Sequence, residues 1–396
     1  MYHDHLFPLR SLKIVHIIPS YKPAFVYGGP IVSGSRLCES QAAQGSEVHV
    51  YTTTANGREE LSVSTGVPQE VDGVWVTYFR RLTGDHTHVA PALWLHLWRT
   101  VRQYDAVHIH SWWNPLVVVA TLICVLRGVR PVLSPRGMLG RYTLDGIHSP
   151  AKKLIHRLGG QWLLRRTCLH ATSQLEWQDC HALIPGWSGF LLPNIIQLPR
   201  ETPLRRENEV FTIAFLSRID PKKGLELALQ ALAQVDFPFV LQLAGSADAG
   251  YRRQLEKLID TLGLTPRVTW AGWKSGDEKF EFLASADVMI LTSYNENFAN
   301  VVVEALAVGT PVLVSRQVGL YDFVEQERMG WVCDLTVEDV RTQLTAAFRE
   351  KEVRKRIATT APAKVRSCFS SERLARQYQE AYDEQALERT REALAL

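Results

Sequence analysis

The sequence predicts an α/β chain of two doubly wound units, each with a parallel sheet. Three observations lead there. Short β-branched runs alternate with longer segments of helical period, the pattern of parallel strands joined by crossover helices. A stretch rich in proline and charge, 193–209, interrupts the alternation, which then restarts. The 396 residues also exceed what one hydrophobic core ordinarily serves. The expected division is one unit over 1–200, a second over 201–369, and a closing helix over 370–396.

In the first unit, strands are expected at 13–18, 47–52, 106–110, 131–133 and 168–171. Helices are expected at 31–44, opened by Pro30 and closed by Gly45, and at 91–102 and 115–126. The second unit should carry strands at 211–216, 239–244, 268–271, 288–291 and 311–314, separated by helices at 225–233, 251–262, 278–284 and 300–308. In the tail, Leu374, Tyr378 and Tyr382 recur at i, i+4 and i+8, as on a helix that packs back across the junction. Two such sheets facing each other put ligands in the cleft outside their strand ends, so residues just after strands are the candidates for chemistry.

Charge and composition narrow the function. The 44 basic residues nearly cancel the 41 acidic ones, so no global field calls for nucleic acid. The six cysteines lie far apart, without a C-x-x-C pair, which fits a reducing, cytoplasmic setting. The longest apolar run, 116–126, is too short to cross a bilayer and reads as a buried helix. Between 146 and 175 there is no acidic residue, while Lys152, Lys153, Arg157, Arg165 and Arg166 alternate with Leu154, Ile155, Leu158, Trp162, Leu163 and Leu164. That mixture over 152–166 suits either peripheral contact with an anionic membrane or a helix docked on its own sheet, and Gly159-Gly160 argues against one continuous helix.

Two segments of the second unit stand out. In Ser217-Arg218-Ile219-Asp220-Pro221-Lys222-Lys223-Gly224, Arg218 and Lys223 flank a helix start, a place that already favours anions; the alternative is surface cations on a loop. In 293–304, Glu296 falls in a strand-to-helix loop and Glu304 inside an apolar helix, where a buried carboxylate needs partners such as vicinal ribose hydroxyls. In the first unit, Gly28-Gly29 can bring backbone close to a phosphate or form a plain turn. Alternation puts His108 and His110 on one face of a strand, with too few further ligands nearby for a metal. Trp112 could stack on a sugar or pack, and Arg136 could bind phosphate of donor or acceptor or form an ion pair.

The two glutamates with seven residues between them, preceded by S-R-x-x-x-x-K-G, resemble the retaining glycosyltransferases of family 4, whose fold is GT-B. Gly28-Gly29, the His-Ile-His strand, Ala-Thr-Ser-x-x-Glu at 171–176 and Gly309-Thr310-Pro311-Val312 follow the same order. The resemblance implies that Arg218 and Lys223 hold a donor diphosphate, Glu304 the ribose and Glu296 the sugar hydroxyls. It further implies phosphate contacts from the amides of Phe298, Ala299, Asn300 and Val301, and a sugar contact from His110. Ala299 departs from the glycine many members carry there.

The expectation is a retaining transferase that moves a sugar from a UDP- or GDP-sugar to a saccharide or lipid-linked acceptor in cell-surface polysaccharide or glycolipid synthesis. The rival readings are a nucleotide-sugar epimerase or hydrolase and a non-catalytic sensor. No cofactor is expected, and the lack of any D-x-D triplet argues against a diphosphate-bridging metal. Closure of the two units about 193–209 would exclude water.

Overall fold

A computed structural model describes residues 10–145, 159–205 and 207–394. The chain divides into two units, one formed by Met1–Ile195 with Ser371–Leu396 and the other by Ile196–Ser370.

The first unit runs β1 (Lys13–Ile17), α1 (Gly29–Ala43), β2 (Glu47–Thr53), a small hairpin β3 (Ala55–Asn56) and β4 (Glu59–Glu60), β5 (Gln69–Val71), β6 (Val74–Phe79) and α2 (Pro91–Thr100). It continues through β7 (Ala106–His110), α3 (Pro115–Leu126), β8 (Val132–Ser134), α4 (Arg141–Asp145), α5 (Gln161–Leu164), β9 (Cys168–Ala171), α6 (Gln174–Leu183) and β10 (Gly189–Leu191). The sheet order is β10-β9-β8-β7-β1-β2-β6-β5, parallel except where β5 meets β6. The chain thus winds outward in both directions from the β1/β7 pair, where Ile14 and Ile17 face Ala106 and Ile109.

The second unit carries β11 (Phe211–Leu216), α7 (Leu225–Leu232), β12 (Phe239–Ala244), α8 (Ala249–Thr261), β13 (Val268–Gly272), α9 (Gly276–Ala284) and β14 (Val288–Leu291). Then come α10 (Asn300–Ala307), β15 (Val312–Ser315), α11 (Tyr321–Gln326), β16 (Gly330–Cys333), α12 (Val337–Arg349) and α13 (Lys351–Phe369). Its all-parallel order β13-β12-β11-β14-β15-β16 reverses direction between β11 and β14, the dinucleotide-fold arrangement. The central strands β11, β14 and β15 are buried on both faces, which is why they read as continuous apolar runs, whereas edge strand β13 is partly exposed.

The last helix, α14 (Ser371–Leu394), returns to the first unit, where Leu374, Ala375, Tyr378 and Tyr382 pack with Leu12, Ile14, Ala106, Val132 and Cys168. Local signals set the helix starts. Asn114 Oδ1 accepts from Val117 N–H at 3.0 Å and Pro115 follows it, while Ser173 and Thr336 cap α6 and α12 in the same way.

Four differences from the sequence reading matter. Strand β6 was left out, as were the short edge strands β5, β10 and β16, which carry too few residues for a period-2 pattern. Helices α6, α11, α12 and α13 were also left out. The helix over 115–126 is not wholly buried: Leu116, Val117, Ala120 and Cys124 face the core, while Leu122 and Leu126 are exposed. Of the basic segment 152–166, Lys152, Lys153 and Arg157 lie outside the described residues. Arg165 and Arg166 are exposed beside the short α5.

Candidate active site

In the second unit, the reversal of strand order leaves the ends of β11 and β14 side by side, with neither following loop covered by a crossover. Gly224 ties these loops together. It sits at φ +64°, where an added Cβ would lie 2.1 Å from the Thr292 carbonyl oxygen, and Thr292 Oγ1 donates to the Gly224 carbonyl at 2.8 Å. Tyr294 N–H donates to the Lys222 carbonyl at 2.9 Å. On the other side, Glu296 N–H donates to the Gln317 carbonyl and Gly319 N–H to the Glu296 carbonyl, at 2.9 and 2.7 Å. The Glu296 backbone is therefore clamped between the loops after β11 and β15.

This clamp brings together residues far apart in sequence. Lys223 Nζ donates to Glu296 Oε2, both side chains mostly buried. Arg218 projects from the same loop, exposed, and no carboxylate partners it among the described residues. Ser293 Oγ and Asn295 Oδ1 are buried nearby without a hydrogen-bond partner. Polar atoms left so are costly unless a ligand or water completes them.

Helix α10 begins at the same place. Its N-cap, Ala299, adopts φ +70°, a left-handed conformation that strains a residue with a Cβ and explains why glycine suits the position. The following first-turn amides, at Asn300 and Val301, are the helix donors that lack intrahelical acceptors. Phe298 is buried against Phe369, so its ring belongs to the core. One turn on, Glu304 is 8% exposed and accepts from Lys279 Nζ at 2.7 Å. Sequence reasoning missed Lys279, on α9; a buried glutamate demands a partner, but nothing in the spacing says which lysine supplies it.

In the first unit, Gly28 (φ +68°) and Gly29 open α1, with open space where each Cβ would stand. His110, at the end of β7, is 2% exposed and both ring nitrogens are occupied. Its Nε2 faces His16 Nδ1 at 2.9 Å, and its Nδ1 accepts from Arg136 Nε at 3.1 Å. Arg136 (φ +52°), after β8, is partly exposed and also donates to Ser33 Oγ on α1 and Asn194 Oδ1, at 2.9 and 3.2 Å. The ion pair foreseen as one option for Arg136 does not form; all three partners are neutral or amide. Glu176 instead accepts from Gly137 N–H at 2.7 Å and from Thr172 N–H at 2.9 Å, which fixes the Arg136 loop and accounts for the Ala-Thr-Ser-x-x-Glu segment.

Two expectations need correction here. Trp112 is 2% exposed in the core with Leu116, Leu133 and Leu139, so its indole is not offered to a sugar. The dismissal of a metal for want of nearby ligands also fails in its reason. His16 joins His108 and His110, with ligating nitrogens within 4.8 Å of one another. Every one of those six nitrogens already has a hydrogen-bond partner, and a guanidinium adjoins the group, so the arrangement suits a hydrogen-bond network better than a cation. Burial holds the rings neutral. It lowers His16 to about 4 and His170 to about 3, and holds His108 and His110 well below their usual value, with Arg136 adding to the effect at His110.

Comparison with known proteins shows the family and the fold. Residues 28–187 match the family described as glycosyl transferase 4-like domain, and 200–364 match glycosyl transferases group 1. A glycosyltransferase of Methanocaldococcus jannaschii is 25% identical over 92% of this chain and 96% of its own. A lipopolysaccharide core biosynthesis glycosyltransferase of Rhizobium meliloti, LpsE, is 29% identical over 41% of this chain and 47% of its own. Among solved structures, Anabaena HepE in complex with UDP and glucose superposes with a TM-score of 0.71 at 20% identity, covering 94% of this chain and all of that one. Sucrose-phosphate synthase of Thermosynechococcus elongatus gives 0.72 at 19% identity, over 95% and 99%. The fold is GT-B.

Gly224→Ala is expected to cost about 2 kcal/mol or more, and Ala299→Gly to stabilise by about 0.5–1 kcal/mol, both read from denaturant midpoints. Because His16, His88 and His170 are depressed from 6.5 to about 4, 4 and 3, the unfolded chain takes up protons that the folded one refuses as pH falls below 6.5. Stability should be full above that pH and decline through pH 4, with the melting midpoint falling by about 5 °C or more. A flat profile in a calorimetric pH series would contradict the burial of these rings.

Proposed function

This chain belongs to the group 1 glycosyltransferases, and from that premise we propose that it moves a sugar from a UDP- or GDP-sugar to an acceptor hydroxyl with retention of anomeric configuration. The observation that carries the reading is the Lys223–Glu296 pair at the β11/β14 reversal, with unpaired Arg218 beside it and the α10 amides adjoining. A diphosphate entering there competes for Lys223. Glu296, released from its lysine, is then free to accept from donor-sugar hydroxyls. At Glu304, vicinal ribose hydroxyls and Lys279 share one carboxylate. The second unit is thus the donor side and the first the acceptor side.

As the glycosidic C–O bond breaks, negative charge gathers on the departing phosphate. Arg218, Lys223 and the amides of residues 298–301 stabilise it more in the transition state than in the ground state, which is the condition for a rate gain. In the donor complex this reading gives Glu296 to the sugar hydroxyls rather than to the anomeric carbon, which leaves no carboxylate assigned as nucleophile. Retention is accordingly assigned to same-face attack, in which the leaving phosphate takes the acceptor proton. Protein cations then supply the charge that a metal would otherwise bring.

The acceptor class we favour is a saccharide or lipid-linked glycan of the cell surface, as in the lipopolysaccharide pathway named for LpsE. In support, Leu122 and Leu126 on α3 and Leu95 and Trp98 on α2 are exposed, and Arg127 stacks on Trp98 at 5.1 Å. Arg99 and Arg102 are exposed alongside, and Arg166 stacks on exposed Trp162 at 4.0 Å. No described helix is long and apolar enough to cross a membrane, so contact through this apolar and basic face would be peripheral, from the cytoplasmic side.

The first test is nucleotide release from a panel of UDP-, GDP- and ADP-sugars with chelator present. We expect one donor to be turned over, and Glu296→Ala to lower the rate by about 100-fold or more. Turnover insensitive to Glu296 and Lys223 would overturn the site, and a product of inverted configuration would overturn the mechanism. For the surface, co-sedimentation with phosphatidylglycerol-rich vesicles at low salt should exceed that with phosphatidylcholine vesicles and drop in Leu122→Ser/Leu126→Ser. Equal partition would remove the membrane from the reading.

A further inference from the structure

We infer that Tyr382, on the C-terminal helix α14, is a positioning residue for His110 and Arg136: it completes a buried hydrogen-bond chain whose direction is fixed at both ends. The functional weight of this inference rests on the reading above, in which the first unit is the acceptor side of a sugar transferase.

The chain begins at Arg136, which has donors only. Its Nε and one terminal nitrogen lie 3.1 and 3.0 Å from His110 Nδ1, so that nitrogen must accept. Neutral His110 then carries its proton on Nε2 and donates to His16 Nδ1 at 2.9 Å. His16 must in turn donate from Nε2 to Gln41 Oε1 at 2.8 Å. That orients the amide so that Gln41 Nε2 donates to the Tyr382 hydroxyl at 3.2 Å, and the hydroxyl donates to His108 Nδ1 at 2.6 Å. His108 Nε2–H donates to Ser134 Oγ at 2.6 Å, and Ser134 donates to His170 Nδ1. Finally His170 Nε2–H reaches the Leu192 carbonyl at 3.0 Å and the Tyr378 hydroxyl at 2.8 Å, and Tyr378 donates to the Pro193 carbonyl at 3.0 Å.

The far end is a carbonyl, which only accepts, so it demands the same polarity that Arg136 demands at the start. Reversing any one link would set two donors or two lone pairs against each other somewhere in the chain. All four histidines are therefore neutral Nε2–H tautomers.

The arrangement has a consequence for charge. Arg136 has no carboxylate partner among the described residues and is held by a lone pair of His110 instead. A carboxylate in that place would neutralise it, whereas a neutral imidazole aims the guanidinium and leaves its full charge for an anionic group. Donor diphosphate and acceptor phosphate share that chemistry. Tyr382 is the single link joining Gln41 to His108, so removing its hydroxyl frees His108 Nδ1 and leaves Gln41 Nε2–H without its acceptor. Tyr378, equally buried on the same helix, lies past the last histidine, where His170 keeps the Leu192 carbonyl without it.

The test uses full-length protein labelled with 15N-histidine, with tautomers read from long-range 1H–15N correlations at pH 7.5 and each ring assigned by single substitution. Wild type should show His16, His108, His110 and His170 all as Nε2–H. Tyr382→Phe should give a mixed tautomer at His108 and lower kcat for nucleotide-sugar turnover about 5–20-fold, with donor KM changed less than about two-fold. Tyr378→Phe should leave all four tautomers and kcat near wild type, though it removes the same atom from the same helix. If free phosphate protects Arg136 from a guanidine-specific reagent in the absence of nucleotide, the anion is acceptor-like; protection by nucleotide diphosphate alone points to the donor. An Nδ1–H tautomer at His110 or His16 would overturn the chain whatever the turnover. Identical kcat losses in both tyrosine variants, with tautomers unmoved, would reduce Tyr382 to packing. Wild-type protein that turns over no donor would sink the transferase reading, while the spectra still decide the chain.

Discussion

Everything in this protein that can do chemistry depends on one topological constraint. A parallel sheet grows by crossovers of fixed hand, so a chain that starts in the middle and winds to both edges leaves one pair of neighbouring strands whose following loops part in opposite directions. Here those pairs are β1/β7 in the first unit and β11/β14 in the second. Gly28-Gly29 and His110 stand after the former, and Arg218, Lys223 and Glu296 after the latter. Residues separated by 94 positions in one case and 73 in the other become hydrogen-bond partners because the sheet permits nothing else to lie between them.

The two units solve the same electrostatic problem differently. In the second, carboxylates stay with lysines, Glu296 with Lys223 and Glu304 with Lys279, so each charge is compensated within the fold. Burying an isolated carboxylate would be far costlier. In the first unit, a cation is kept without a counter-charge by surrounding it with neutral acceptors, and burial that disfavours imidazolium keeps those acceptors neutral.

These differences explain what could be read in the sequence. Strand and helix alternation, the proline- and charge-rich stretch over 193–209 and the spaced pair of glutamates were legible because each is local. A β-branched run, a proline cluster and a spaced pair of glutamates need no knowledge of the fold. Lys279, His16, His170 and Gln41 were not legible, since each matters only through a partner on a different element, and their own neighbourhoods read as ordinary helix or strand. Trp112 shows the reverse failure: an aromatic after a strand looks like a sugar platform, but the turn into α3 carries it inward to Leu116. The exposure of Leu122 and Leu126 was hidden for a related reason. An apolar helix reads as buried all round, and only the packed structure shows which face has no cover.

Helix α14 joins these themes. Its Leu374 and Ala375 complete the apolar cover over β1, β7 and β8, on the face that α1 leaves partly open, while Tyr378 and Tyr382 on the same stripe carry hydroxyls into that core. A phenol is suited to the task, because its ring packs like the leucines around it and its one polar atom both accepts and donates. The spacing of four residues sets Tyr378 against His170 on β9 and Tyr382 against His108 on β7, so one helix stripe reaches the two strands that flank β8. Packing and hydrogen-bond direction are thus specified by the same residues. Histidines on β1, β7 and β9 can remain buried and neutral only because a helix from the far end of the sequence closes over them with these two tyrosines.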